Sequence, residues 1–118
     1  MFVNSLYFII SNELTPENIV SEIKINEQHA VFEGHFPNSP VMPGVVQLQI
    51  VKEVLEAHLE RKLAMKAMRT CKFLEVLDPR KNPNVRIHIK YKQSEILDVI
   101  ASGEDNGKVF FKMQASYL

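Results

Sequence analysis

The stretch from Phe32 to Gln49 gathers the ingredients of acid–base chemistry into a short length of chain. It reads Phe-Glu-Gly-His-Phe-Pro-Asn-Ser-Pro-Val-Met-Pro-Gly-Val-Val-Gln-Leu-Gln. His35 lies among Gly34, Pro37, Pro40, Pro43 and Gly44. Prolines so closely spaced cannot share a helix interior, so residues 27–43 are predicted to form a shaped loop, with Phe32 and Phe36 packing it onto a core. Directly after it, Val45, Val46, Leu48, Ile50, Val51, Val54, Leu55 and Leu59 cover more than one face of a predicted helix, the pattern of a buried one. Pro43 suits the start of that helix. A histidine held beside a helix N-terminus has two assets. Its imidazole titrates near neutrality and can act as a base. The first N–H groups of the helix, with its dipole, can stabilise a developing oxyanion. Farther along, Glu53 follows Gln49 by one turn, so the two share a helix face.

These groups need a scaffold. Residues 3–13 carry Tyr7, Phe8, Ile9 and Ile10 and are predicted as a first strand. Thr15-Pro16 signals a turn. Residues 20–26 alternate, Ile23 and Ile25 against Glu22 and Lys24, as a half-buried strand does. After the helix, strands are predicted over 68–77, ending at Asp78-Pro79, over 85–92 and over 96–102. Asp105-Asn106-Gly107 is a hairpin signal. A last strand then alternates through Val109, Phe111, Met113, Ala115 and Tyr117. Two strands, one long helix and four strands give an α+β domain over residues 1–118. One helix covers six strands only if the antiparallel sheet curves around it. Such a sheet keeps open edges, and pairing between two copies is a natural way to cover one. A homodimer is therefore expected.

Composition removes several function classes. Lys+Arg and Asp+Glu both number 14, so there is no basic surplus for a nucleic-acid partner. No apolar run reaches the length of a membrane span. The apolar start lacks basic residues before it and reads as a strand rather than a secretory leader, which makes a cytoplasmic location the expectation. Cys71 has no disulfide partner, and His29, His35, His58 and His88 show no metal-ligand spacing. No glycine-rich phosphate loop occurs, and no cofactor is expected.

Gly34-His35-Phe36-Pro37, followed by Pro40-Val41-Met42-Pro43-Gly44-Val45, resembles the signature of the β-hydroxyacyl-ACP dehydratases. Gln47-Leu48 after Gly44-Val45-Val46 is similar to the branch that handles aryl-polyene and related lipid precursors, and Lys72-Phe73-Leu74 resembles the family's strand after the helix. The resemblance implies a hotdog fold and a (3R)-hydroxyacyl-thioester dehydratase or hydratase. The thioester would be carried by acyl carrier protein or CoA, on a dimer that can pair further into a tetramer or hexamer. It implies that His35 removes the α-proton, that the Gly44 N–H binds the thioester carbonyl, and that a carbonyl near Val41 orients the imidazole. Phe36, Val41, Pro43, Gly44 and Val45 would line the substrate site. The family's proton donor, a carboxylic acid from the other subunit's helix, falls at Gln49.

Glutamine keeps the size but cannot release a proton at accessible pH. Many members of the family carry glutamine at the later position, occupied here by Glu53. The chain thus exchanges acid and amide along one turn. Glu53 is therefore expected either to supply the proton, directly or through water, or to be a solvated helix residue beside Lys52. The alternative to an enzyme is a non-catalytic hotdog that binds acyl thioesters or carrier protein, and a thioesterase is a further one. His29, His58 and His88 are expected in packing or surface roles, and Cys71 as a small hydrophobe. Arg61, Lys62, Arg69, Lys72, Arg80 and Lys81 are candidates for contact with an acidic carrier.

Overall fold

Alternating side chains put one face of each central strand into the core, and the order of the strands brings the helix across that face. The computed structural model describes residues 1–35 and 38–118. Its elements are β1 (Tyr7–Thr15), β2 (Asn18–Ile25), a short 3-10 turn (Ala30–Phe32), α1 (Gly44–Leu59), β3 (Met65–Phe73), β4 (Asn84–Gln93), β5 (Leu97–Asp105) and β6 (Lys108–Tyr117). The strands form one sheet in the order β1-β2-β4-β5-β6-β3, antiparallel throughout. The chain leaves β2 near one edge and enters β3 at the other. The loop and α1 make that crossing, and the sheet wraps around the helix.

The core is built from both layers. Val46, Ile50, Val51, Val54 and Leu55 of α1 are buried with Ile19 and Ile23 of β2, Ile87 and Ile89 of β4, Val99 of β5 and Met113 of β6. Each such side chain contributes about 1.5–3 kcal/mol on leaving water. Opposite β5, Phe111 pairs with Gly103 but Val109 pairs with Glu104, so Phe110 is an extra residue in β6. The bulge places two consecutive phenylalanines in buried positions. A Cβ on Gly103 would lie 2.4 Å from the Phe111 ring, so only glycine admits that ring. The expected hairpin turn is present: Asn106 and Gly107 both have positive φ, 50° and 82°.

Three expectations need correction. The first strand starts at Tyr7 rather than at residue 3, because residues 3–6 turn back and bury Leu6. The strand expected over 68–77 runs Met65–Phe73, and residues 74–77 leave the sheet. The N–H groups of Leu74 and Glu75 both turn to the Phe110 carbonyl, at 2.9 and 3.5 Å. The helix is not apolar-buried all round: Val45 is 76% exposed, while the polar Gln47 and Glu53 are buried.

Candidate functional site

The loop before α1 closes on itself through His35. The Val41 N–H donates to the His35 carbonyl at 2.8 Å. The His35 ring returns the contact, with Nδ1 3.1 Å from the Val41 carbonyl oxygen. A carbonyl only accepts, so Nδ1 carries the ring proton and Nε2 keeps its lone pair, the tautomer of a general base. This is the orienting contact that the resemblance implied. One residue on, the Met42 N–H donates to the Leu77 carbonyl at 2.9 Å, which ties the loop to residues 74–77.

Pro43 is the N-cap of α1 and offers no side-chain cap. Its carbonyl accepts from the N–H groups of Val46 and Gln47, at 3.1 and 3.2 Å. The Gly44 and Val45 N–H groups find no acceptor among the described residues. They carry the positive end of the helix dipole. A Cβ on Gly44 would lie 2.5 Å from the tip of the Phe73 ring, so a side chain there would displace the aromatic lid over the helix start.

A cavity of about 600 Å³ joins these parts. Its wall brings together the expected His35, Val41, Pro43, Gly44 and Val45 with Gln47, Phe73 and residues 74–77. Phe36, also expected there, lies outside the described residues. Sequence reasoning missed Gln47 as a site residue. Only 5% exposed, it donates from Nε2 to the Met42 carbonyl at 3.1 Å, and its Oε1 is buried with no partner among the described residues. An unmet buried acceptor costs about 1–3 kcal/mol. Helical periodicity reads such a polar residue as outward, so no local signal marked it.

Gln49 and Glu53 do not line this cavity; they form a separate cluster farther along α1. Gln49 donates from Nε2 to Glu53 Oε2 at 3.1 Å. The Phe2 and Val3 N–H groups each donate to Glu53 Oε1 at 2.9 Å. The Tyr7 hydroxyl donates to the same oxygen at 3.1 Å. Glu53 is thus buried and not the solvated residue that was one of its two expected roles. Burial pushes its carboxyl upward, but the hydrogen bonds from Phe2, Gln49, Val3 and Tyr7 outweigh this and hold it below the ordinary carboxylate range. The carboxylate is ionised at neutral pH and accepts in every one of these hydrogen bonds. Burial, and then the Glu53 charge, push the Tyr7 hydroxyl far up.

The remaining histidines have local partners. His29 Nδ1 accepts from the Val31 N–H at 3.0 Å and caps the 3-10 turn. His58 meets the Tyr91 hydroxyl at 3.0 Å. His88, expected to be solvated, pairs with Glu104 at 3.1 Å. Burial raises the Cys71 thiol, which disfavours the nucleophilic thiolate. Of the basic candidates, Arg69 pairs with Asp98 and Arg80 with Asp78, at 3.0 and 3.3 Å. Arg61 bonds the Gln93 side chain at 2.6 Å. No three metal-ligating side chains converge among the described residues, and no helix there is long and apolar enough to cross a membrane. A second depression of about 540 Å³, bordered by Lys72, Lys90 and Lys112, shares no residue with the His35 cavity. The His35 cavity is the candidate site because, among the described residues, it joins a base to helix-start amides that have no acceptor there.

Comparison with known proteins bears on the family and the fold. The family described as ApeI-like, ApeI dehydratase, matches residues 11–112. The 3-hydroxyacyl-[acyl-carrier-protein] dehydratase FabZ of Chlamydia trachomatis is 28% identical over 80 residues, 60% of this chain and 52% of that protein. The chain thus spans about half the length of the curated relatives it matches. Among solved structures, the dehydratase heterocomplex ApeI:P from Xenorhabdus doucetiae superposes with a TM-score of 0.75 at 18% identity, covering 93% of this chain and 96% of that one. An uncharacterized protein from Erwinia carotovora superposes with a TM-score of 0.69 at 17% identity, covering 94% and 92%. These superpositions show the hotdog fold.

Proposed function

The chain belongs to the ApeI-like dehydratase family, and from that premise we propose that it acts on (3R)-hydroxyacyl thioesters as a dehydratase or hydratase. The observation that carries the reading is the His35 geometry: Nδ1 donates to the Val41 carbonyl in a cavity shared with the start of α1, so Nε2 is the ring nitrogen assigned to take the proton. In this reading Nε2 removes the proton α to the thioester carbonyl. The Gly44 N–H donates to that carbonyl oxygen as enolate charge builds. The C3–O bond then breaks, and the departing hydroxide takes a proton. An amide at position 49 has none to give, so the imidazolium of His35 is the donor within the cavity. Hydration is the reverse sequence.

A homodimer completes the site in this reading, with Gln49 of a second copy facing the substrate hydroxyl. Supporting this, Val45, Phe73, Leu74 and Val76 leave apolar side chains exposed beside the His35 cavity, next to the unpaired edge of β3. The substrate arrives on acyl carrier protein or CoA, and the reaction belongs to the cytoplasm. No cofactor enters the reaction. The amide at 49 also favours a second reading. The heterocomplex in the name of the Xenorhabdus doucetiae structure suggests that a different hotdog chain, bearing an acid there, completes the pair.

The test mixes the protein with crotonyl and 3-hydroxybutyryl thioesters of CoA and of acyl carrier protein and follows enoyl absorbance. Interconversion is expected, cut about a hundredfold to ten-thousandfold by His35→Ala. Free thiol without interconversion would replace the reading with hydrolysis. Silence in both assays, with tight acyl-thioester binding, would make the chain a binding module. Activity that appears only on adding a second chain would select the mixed pair over the homodimer.

A further inference from the structure

Gln49 and Glu53 are joined by one hydrogen bond whose direction is fixed by chemistry. A carboxylate only accepts, so the amide must present Nε2 to Glu53 Oε2, 3.1 Å away. The flipped amide would set two acceptors against each other. Glu53 cannot turn aside to relieve that clash, because Oε1 already takes the N–H groups of Phe2 and Val3 and the Tyr7 hydroxyl, and Oε2 also takes the Phe2 N–H at 3.1 Å. The carboxylate is buried, so no solvent substitutes for these donors. Gln49 itself is half-buried. With its NH2 turned to Glu53, its remaining polar end is Oε1, to which no described group donates.

We propose that Glu53 is a positioning residue that locks the Gln49 amide with its carbonyl oxygen outward, so that position 49 receives a hydrogen bond from the substrate hydroxyl or a water instead of giving one. This rests on the reading above that Gln49 takes part in the site. It deepens that reading by naming what the site recognises at this point: an O–H donor. It also alters what an acid introduced at position 49 would do. Two carboxyl groups in contact share one proton. In Gln49→Glu that proton would be drawn inward by Glu53, away from the substrate. In the double exchange Q49E/E53Q, an amide stands behind the new carboxyl and leaves its proton outward.

Two measurements test this. The first compares turnover of 3-hydroxybutyryl thioester by Q49E and Q49E/E53Q, at a temperature where both are folded. The double exchange is expected to exceed the single by about tenfold, a modest share of what a general acid supplies. A single variant equal to or faster than the double would overturn the proposal. The second needs no turnover: the side-chain NH2 signals of Gln49 are followed by NMR in ¹⁵N-labelled protein. In E53Q these signals are expected to shift and to exchange faster with water; unchanged signals would overturn the proposal. Should E53Q fold poorly, acid titration of the unaltered protein serves, with the Gln49 signals expected to move as Glu53 takes up its proton. Among the described residues, the other ionisable groups facing Glu53 are the Tyr7 hydroxyl and the Met1 ammonium, 3.4 Å away. Signals that respond to Glu53 while Gln49→Ala leaves turnover intact would uphold the lock and remove Gln49 from the reaction.

Discussion

The first turn and the middle of one helix have opposite polar economies. Among the described residues, the Gly44 and Val45 N–H groups of the first turn of α1 find no acceptor and the buried Gln47 Oε1 finds no donor. One to two turns later, the Glu53 carboxylate collects donors from two backbone groups and two side chains. The first region is under-satisfied beside a cavity, and the second is saturated beneath a folded-back segment. Unmet hydrogen-bonding capacity at a protein surface is available to a ligand, whereas met capacity holds the fold. The same rod thus separates chemistry from anchorage.

Variants in each region sharpen that contrast. The largest effect is expected from His35→Ala, which should cut turnover about a hundredfold to ten-thousandfold, while thermal unfolding moves little because the ring is half-buried. A collapse of stability equal to that of a core variant would place His35 with the anchors instead. Next, Glu53→Gln should lower stability by about 2–3 kcal/mol, since charged hydrogen-bonded partners are lost from a buried site. Its sign with pH follows from linkage. The folded carboxyl lies below its ordinary value of 4.5, so its stabilisation is fully present above that pH and is lost as pH falls through the lower folded value. Denaturant unfolding should therefore show a constant gap between the parent and E53Q at neutral pH that closes on acidification. A gap that widens in acid would break the comparison.

Gly44→Ala comes third. The added methyl meets the Phe73 ring at 2.5 Å, and the crowding should reduce kcat/KM by about tenfold. Phe73→Ala in the same chain should recover part of the loss, and the absence of recovery would remove the ring from the explanation. The smallest effect is expected from Gln47→Leu. It deletes the buried Oε1 acceptor of a residue that lines the cavity and should raise KM by about threefold to tenfold with kcat nearly kept. An unchanged KM would show that Gln47 Oε1 meets no substrate group.

Local chemistry made the frame legible in the sequence. Proline and glycine spacing marked the loop, the start of α1 and the Asn106-Gly107 turn, because each acts through its own backbone. Period-two alternation marked β2 and β4, whose exposed and buried faces differ sharply. The failures came from contacts between distant segments. Nothing around residues 3–6 announces a turn whose N–H acceptor sits on Glu53, some fifty residues on. Leu74 and Val76 are apolar and spaced like strand residues, yet they leave the sheet where loop and cavity need a wall. The loop and His35 were readable because the loop's proline and glycine pattern is local, whereas Gln47 was not, since helical periodicity records a polar residue as outward until packing says otherwise.

The irregular edges of the sheet bear on how copies meet. Extra residues interrupt β1 at Ile10 and β3 at Lys66 and Arg69, where their partners' register skips. Each interruption swaps which way the following side chains point. A stranger's extended segment laid along either border loses its ladder within a few residues. Such a border is a poor template for open-ended strand addition.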